Sequence, residues 1–278
     1  HRKGRPGQKV LEAVGGKDII LISTGANDWL ASRGEATRVE GGFRINATKT
    51  FASGSPVGDM LMTSAAYEDP KEGWQVLHFP VPIKSEGVTV NQDWRAMGMR
   101  GTGSGSVVLK DVYVADAAVA VRRPRGKYHP VWNTILTCAM PLIMSVYVGV
   151  AEEAAERAVA AAKKRPDSAT PVLLGELENL LTSARLAADS MVALNADLEF
   201  EPTNERANAI LVRKTLAANA VVATCAKALE AAGGSAYMRA TGIEKLLRDA
   251  YAAQFHPLPE RKQQEFTGRL ALGLDPVA

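Results

Sequence analysis

The chain has 278 residues, 46% hydrophobic and 23% charged, a composition normal for one large folded domain or two ordinary ones. Its formal charge of +3 is small and evenly spread, which argues against a nucleic-acid partner. Only two cysteines occur, Cys138 and Cys225, both in apolar stretches without metal-ligand spacing; they exclude a disulfide framework and a cysteine-bound metal and point to a reducing cytoplasm.

In chain order, the segment HRKGRPGQKVLEAVGG is basic and polar, with no secretory apolar region after it. From residue 18 to 127, short apolar runs alternate with Gly, Pro, Asn and Asp. Asp18 to Ser23, Phe43 to Ile45, Met60 to Ala65, Gln75 to Phe79 and Ser106 to Leu109 read as strands. Glu40-Gly41-Gly42 reads as a hairpin turn, since glycine takes positive φ without steric cost. Short strands with regular turns and no intervening helix predict a small antiparallel barrel or sandwich. The cluster from Arg122 to Lys127 is a phosphate-attracting patch or, on the simpler reading, a solvated loop.

From residue 128 to 278 the period becomes helical. Ile143, Tyr147, Val150, Ala154, Ala158 and Ala161 form one stripe, ended by Lys163-Lys164-Arg165 and Pro166. The apolar part, Thr137 to Val150, stops at Glu152 and Glu153, short of the roughly 18 residues of a membrane span. A second stripe runs Leu177, Leu181, Ala184, Ala188, Met191 and Leu198. A third runs Leu211, Ala218, Val222, Cys225 and Leu229, with Thr203 or Asn204 as its N-cap and Gly233-Gly234 closing it. Shorter helices follow around Glu244 to Ala253 and Arg261 to Ala271. The many alanines on these faces predict an antiparallel bundle and association into a homodimer or homotetramer. The fold class is therefore α+β, with the β part first.

Four stretches carry a resemblance: ISTGAND from Ile22, GGFRINATKTFASGSPVGDMLMTSA from Gly41, DWRAMGMRGTGSGSVVLKDVYVAD from Asp93, and AAGGSAYMRATGIEKLLRDAYAAQFHPLPE from Ala231. In this order they resemble the acyl-CoA dehydrogenase superfamily. The resemblance implies a flavin cofactor, FAD or else FMN, a hydrophobic small-molecule substrate such as an acyl-CoA, and neither nucleic acid nor membrane as partner. It sets Phe51 beside the flavin ring and Ser53 near its reactive nitrogen; structurally, the same two residues would be core and turn. It gives Ser23, Thr24 and Gly25 to a loop offering amides and a hydroxyl to flavin and substrate, with Asn27-Asp28-Trp29 departing from the usual glycine-serine-aspartate turn. Gly233 and Gly234 resemble the glycine pair that approaches the cofactor's diphosphate, usually on a neighbouring subunit, because glycine has no side chain. Arg100, Thr102 and Ser104 fall near the substrate chain, or else form a flexible glycine-rich connection. Arg248 and Asp249 match an Arg-Asp pair, read as an internal ion pair.

The chain departs from the family at its catalytic base. The usual Tyr-Glu step falls on His256 and Pro257, and the alternative early-helix position, Tyr128 to Ile143, contains no Asp or Glu. A histidine at this place is similar to the flavin monooxygenase branch of the fold, which makes His256 the candidate catalytic residue; the plain reading is a loop imidazole. Glu260 and Glu265 are read as solvated faces of the last helix, with a relocated base as the other possibility. His78 and His129 read as structural. The segment 1–17 resembles only the tail of the family's leading helical domain. Three functions stand at this point: α,β-dehydrogenation of an acyl-CoA, flavin-dependent monooxygenation, and a catalytically silent partner subunit.

Overall fold

The computed structural model describes residues 8–24, 28, 30–164 and 167–277, with Lys9 by its backbone alone. It forms two compact units. One holds the residues up to Ala96 together with Arg100–Lys127; the other holds Met97–Met99 and Tyr128 onward.

The first unit opens with helix α1 (Gln8–Lys17) and continues as β1 (Leu21–Ser23), β2 (Glu35–Val39), β3 (Gly42–Lys49), β4 (Met60–Asp69), β5 (Gly73–Pro82), β6 (Val88–Val90), β7 (Val107–Ala115) and β8 (Val121–Pro124). They make one eight-stranded sheet in the order β6-β7-β3-β2-β4-β5-β8, with β1 on β4. Alternation along β3 buries Phe43, Ile45, Ala47 and Lys49 on one face and exposes the residues between, as the pleat dictates. Ile45, Leu61, Leu77, Phe79 and Val107 form the centre of the core. Each apolar side chain fully buried there contributes about 1.5–3 kcal/mol.

The turn at Glu40–Gly41 is present, with Gly41 at φ 70°, but the strand leading into it is β2, which has no apolar run to announce it. The short edge strands β6 and β8 were also illegible by pattern. The sheet is mixed rather than purely antiparallel. β1 runs parallel to β4 at Met60–Met62, and β2 meets β4 in parallel at Ala66. Both use the edge of β4 opposite β5. Along that edge β2 therefore pairs four residues beyond the last β1 partner, Met62.

The second unit contains α2 (Val131–Lys164), α3 (Thr170–Asn195), α4 (Asn204–Ala232), α5 (Ile243–Ala250) and α6 (Glu260–Ala271), of which α2, α3 and α4 pack on one another. The α3 stripe is buried at Leu177, Leu181, Ala184, Ala188 and Met191, whereas Leu198 lies beyond the helix and is exposed. Thr203 caps α4, its hydroxyl accepting the Arg206 N–H at 3.2 Å. Arg165 and Pro166, read as the stop of α2, lie outside the described residues. The buried face of α2 is rotated from the predicted stripe: Met140, Met144, Tyr147, Ala151, Ala154, Ala158 and Ala162 point inward, while Ile143, Val150 and Ala161 are half-buried.

Two helices, α2 and α4, are long and apolar enough by composition to cross a membrane, more than the apolar run Thr137–Val150 predicts. About half of each apolar window is buried inside the unit, as expected for core helices of a bundle. Pro141 sits inside α2 and cannot donate to the Thr137 carbonyl four residues before it. Asn195, at the end of α3, supplies that donor through Nδ2 at 3.0 Å. A side chain from another helix thus replaces the missing backbone bond.

Candidate functional site

In the β unit, the chain between β3 and β4 turns through Phe51 at φ 58°, a left-handed conformation uncommon for a bulky residue. This turn leaves Phe51 55% exposed, against the rule that a large aromatic next to a core strand is buried. Its edge meets Trp94, centroids 5.9 Å apart at 75°. Two residues on, Ser53 Oγ lies 2.7 Å from Ser104 Oγ, which lies 2.6 Å from Thr102 Oγ1. Three hydroxyls thus form one hydrogen-bonded chain.

The backbone holds that chain in place. Ala52 N–H donates to Gly105 C=O at 3.1 Å, and Gly54 N–H to Thr102 C=O at 2.8 Å. Asp93 accepts the N–H and hydroxyl of Ser106 at 2.8 and 2.6 Å, which holds its carboxyl below the usual range. A Cβ on Gly105 would sit 2.4 Å from the Asn91 carbonyl, so only glycine permits this approach. Arg100 is exposed at the start of the same turn and has no side-chain partner among the described residues. Thr102 and Ser104, which the resemblance sets near the substrate chain, meet Ser53 here, a juxtaposition with no local signal, and backbone hydrogen bonds pin the connection that carries them.

Thr24 goes elsewhere. It is buried, and its hydroxyl bonds Thr63 on β4 at 2.8 Å, while Ser23 is exposed at the end of β1. Gly25, Asn27 and Trp29 of the same motif lie outside the described residues. Asp28 anchors the returning part of this connection and was missed as anything but a turn residue. It is 3% exposed and paired with Lys49 Nζ, itself 1% exposed. Asp28 also accepts the Arg33 N–H at 3.0 Å, and Lys49 donates to the Arg33 carbonyl and to Ser32 Oγ at 3.4 Å. Burial pulls the Lys49 ammonium below its ordinary value, opposed by Asp28.

Arg123 completes the support. It is fully buried, donating to the Leu30 carbonyl at 2.7 Å and to His78 Nε2 at 3.0 Å, and burial lowers it to about 10. Arg122 pairs with Asp69 at 2.6 Å and Glu72 at 2.9 Å. The basic cluster is therefore neither a phosphate patch nor a solvated loop at these two positions: its charges are already used. Neither Lys49 on β3 nor Arg123 on β8 shows its partner in the local sequence, because those partners lie 21 and 93 residues away.

In the helical unit, Gly233 ends α4 at φ 76° and Gly234 follows it; both are exposed and have open space where a Cβ would be. That is a helix C-cap which also leaves the backbone approachable. Arg248 and Asp249 do not pair with each other. Arg248 bonds Glu244 at 2.7 Å and the Met97 carbonyl at 2.7 Å, while Asp249 pairs with Lys245 at 2.8 Å and accepts the Met99 N–H at 2.5 Å. Together they hold Met97–Met99 in this unit.

His256 follows a short 3-10 turn (Tyr251–Phe255). Its Nε2 lies 2.8 Å from Tyr147 Oη on α2, with the rings edge-on at 5.4 Å. Lys214 of α4, 1% exposed, reaches past it to the Leu258 and Gln254 carbonyls at 3.1 and 3.5 Å. Burial, aided by the Lys214 charge, lowers His256 to about 4; burial also lowers Lys214 to about 8 and raises Tyr147 to about 12. His256 is thus a neutral, oriented imidazole. In the sequence Tyr147 is one position of the α2 stripe, and Lys214 carries no local signal.

Neither downstream glutamate resembles a base. Glu260 accepts weak amide bonds at the surface, and Glu265 pairs with Lys262 at 2.9 Å, which lowers it. His129 serves as a cap, its Nδ1 accepting the Val131 N–H at 3.2 Å.

With this geometry in hand, the likenesses to known proteins are specific. Residues 25–112 match the acyl-CoA dehydrogenase middle domain, and residues 131–256 match the acyl-CoA dehydrogenase C-terminal domain. Cyclohex-1-ene-1-carbonyl-CoA dehydrogenase of Syntrophus aciditrophicus is 25% identical over 95% of this chain and 66% of that protein. Dibenzothiophene monooxygenase of Rhodococcus qingshengii is 32% identical over 47% of this chain and 32% of its own length. The nitrososynthase structure from Micromonospora carbonacea var. africana shares the fold, with TM-score 0.85, 22% identity, and coverage of 98% of this chain and 73% of that one. The chain spans about two thirds of the length of the first of these relatives. The β unit followed by a helical bundle and the two consecutive domain matches lead to one conclusion: the chain belongs to the acyl-CoA dehydrogenase family.

Proposed function

We propose that the chain is a flavin-dependent oxidoreductase that desaturates a CH–CH bond beside a thioester carbonyl, with FAD as cofactor and FMN as the alternative. The observation that carries this reading is the hydroxyl chain Ser53–Ser104–Thr102 adjoining an aromatic ring held out of the core. Flavin, when bound, supplies the hydride acceptor. Phe51 offers the isoalloxazine a flat apolar surface, Ser53 a hydrogen bond, and Ser23, exposed at the end of β1, a hydroxyl, while Thr24, bonded to Thr63, supports that strand end. Gly233 and Gly234 admit a diphosphate close to the backbone, on a neighbouring subunit as the resemblance implies. Arg100 is a cation without a partner among the described residues, suited to an anionic group on the substrate.

A second reading has its own observation: Pro257 stands where the family's glutamate falls, and the residue beside it is the neutral His256 bonded to Tyr147. This favours monooxygenation of a hydrophobic substrate, with His256 donating to a reduced oxygen. A visible spectrum of the purified chain, recorded anaerobically before and after addition of mixed acyl-CoAs, separates the readings. A flavin band that bleaches supports desaturation. A band that stays oxidised, together with oxygen-dependent product from externally reduced flavin, supports the second. A chain that takes up neither FAD nor FMN overturns both and leaves a silent partner subunit.

We also infer a homodimer or homotetramer built through the bundle. The support is a row of exposed apolar residues on α2, namely Ile135, Leu142 and Val146, spaced to lie on one side of the helix. Sedimentation equilibrium is expected to give at least twice the chain's 29.6 kDa. A single species at the monomer mass at micromolar concentration overturns the inference.

A further inference from the structure

We propose that Tyr147 is a positioning residue: it sets the ring proton of His256 on Nδ1 and so presents a fixed N–H donor to an oxygen of the substrate. The argument is one of hydrogen-bond counting. Tyr147 is 2% exposed, and the partner of its hydroxyl among the described residues is His256 Nε2, at 2.8 Å. If Nε2–H donated to the phenol oxygen, the phenolic proton would be left without an acceptor in a buried place, the costly arrangement that folded proteins avoid. The phenol therefore donates. Nε2 is the acceptor, and a neutral imidazole then carries its proton on Nδ1.

Both protonation states fit. Tyr147, raised to about 12 by burial, keeps its proton, and His256, lowered to about 4, stays neutral across the physiological range. Lys214 clamps the carbonyls of Gln254 and Leu258, two residues to either side of His256, so the backbone bearing the ring is held as well. Among the described residues the hydrogen bond of the ring is the one at Nε2, and His256 is half-buried. A neutral Nδ1–H makes the residue a donor to developing negative charge on oxygen, not a proton-abstracting base. This rests on reading His256 as a residue of the reaction site.

The test is the nitrogen chemical shifts of the full-length chain labelled with 15N-histidine, whose four histidines are distinguished with His256→Gln. Wild type is expected to show a protonated Nδ1 and an unprotonated Nε2 at His256, unchanged from pH 5 to 8. Tyr147→Phe should replace this by a mixture of tautomers, with kcat lower by about tenfold and KM little changed. A protonated Nε2 in wild type overturns the proposal and needs no variant to fold. So does a Tyr147→Phe spectrum identical to wild type. Failure of the flavin reading is distinct: it appears as a colourless chain whose His256 still shows the Nδ1–H tautomer.

Discussion

Lys49→Met is expected to cost the β unit about 3–5 kcal/mol, because it leaves the Asp28 carboxylate buried without its counter-charge. Methionine preserves the stem of the lysine, so the loss does not come from a cavity. What disappears is the ammonium bonded to Asp28 and to the Arg33 carbonyl. The remaining partners of Asp28, the Arg33 N–H at 3.0 Å and Ser64 Oγ at 3.5 Å, cannot carry a buried negative charge alone. Native-state hydrogen exchange at β3 and β4 amides measures the effect within this unit without assuming that the whole chain unfolds in one step. Adding Asp28→Asn should recover at least half of the loss, since the neutral amide still accepts the Arg33 N–H. A loss below about 1 kcal/mol for the single variant would mean that water screens the pair as it does at the surface.

Acid is expected to destabilise the helical unit by on the order of 3 kcal/mol between pH 6.5 and 4 through His256 alone. The folded value of about 4 lies below the ordinary 6.5. In that window the unfolded chain takes up a proton at this histidine while the native chain does not. Stability is therefore full above pH 6.5, falls as the pH is lowered, and stops falling from this cause below 4. His256→Gln removes the slope, and the difference between the two denaturation curves isolates this residue from the carboxylates that titrate nearby in pH. Parallel curves for wild type and variant would refute the buried neutral imidazole. Lys214→Met should move the His256 midpoint upward, since the lysine charge helps hold it down. For activity, the corollary is a pH profile without an inflection near 6.5.

Much of the helical unit was legible because a helix is written in local periods. Leu177, Leu181, Ala184, Ala188 and Met191 fall on the buried face of α3 as their spacing requires, and Thr203 caps α4 as its type and place suggest. The buried face of α2 is turned by about one residue from its predicted stripe. That helix is apolar nearly all round, so composition could not say which side α3 and α4 would cover. In the sheet, strands with apolar alternation were found, while β2, β6 and β8 were not. Their place comes from the ladder of a neighbour rather than from their own side chains.

The sequence by itself determined the order of a β unit before a helical one, the family, and the departure at Pro257, since each is carried by local pattern or by motifs read in a row. The tertiary structure alone decided the pairings that give those motifs their chemistry. Ser53 meets Ser104 across 51 residues, Arg123 reaches Leu30 across 93, and Tyr147 meets His256 across 109. Polar pairing in a dry interior depends on position in space, and no local preference records which distant chain segment folding will place within 3 Å.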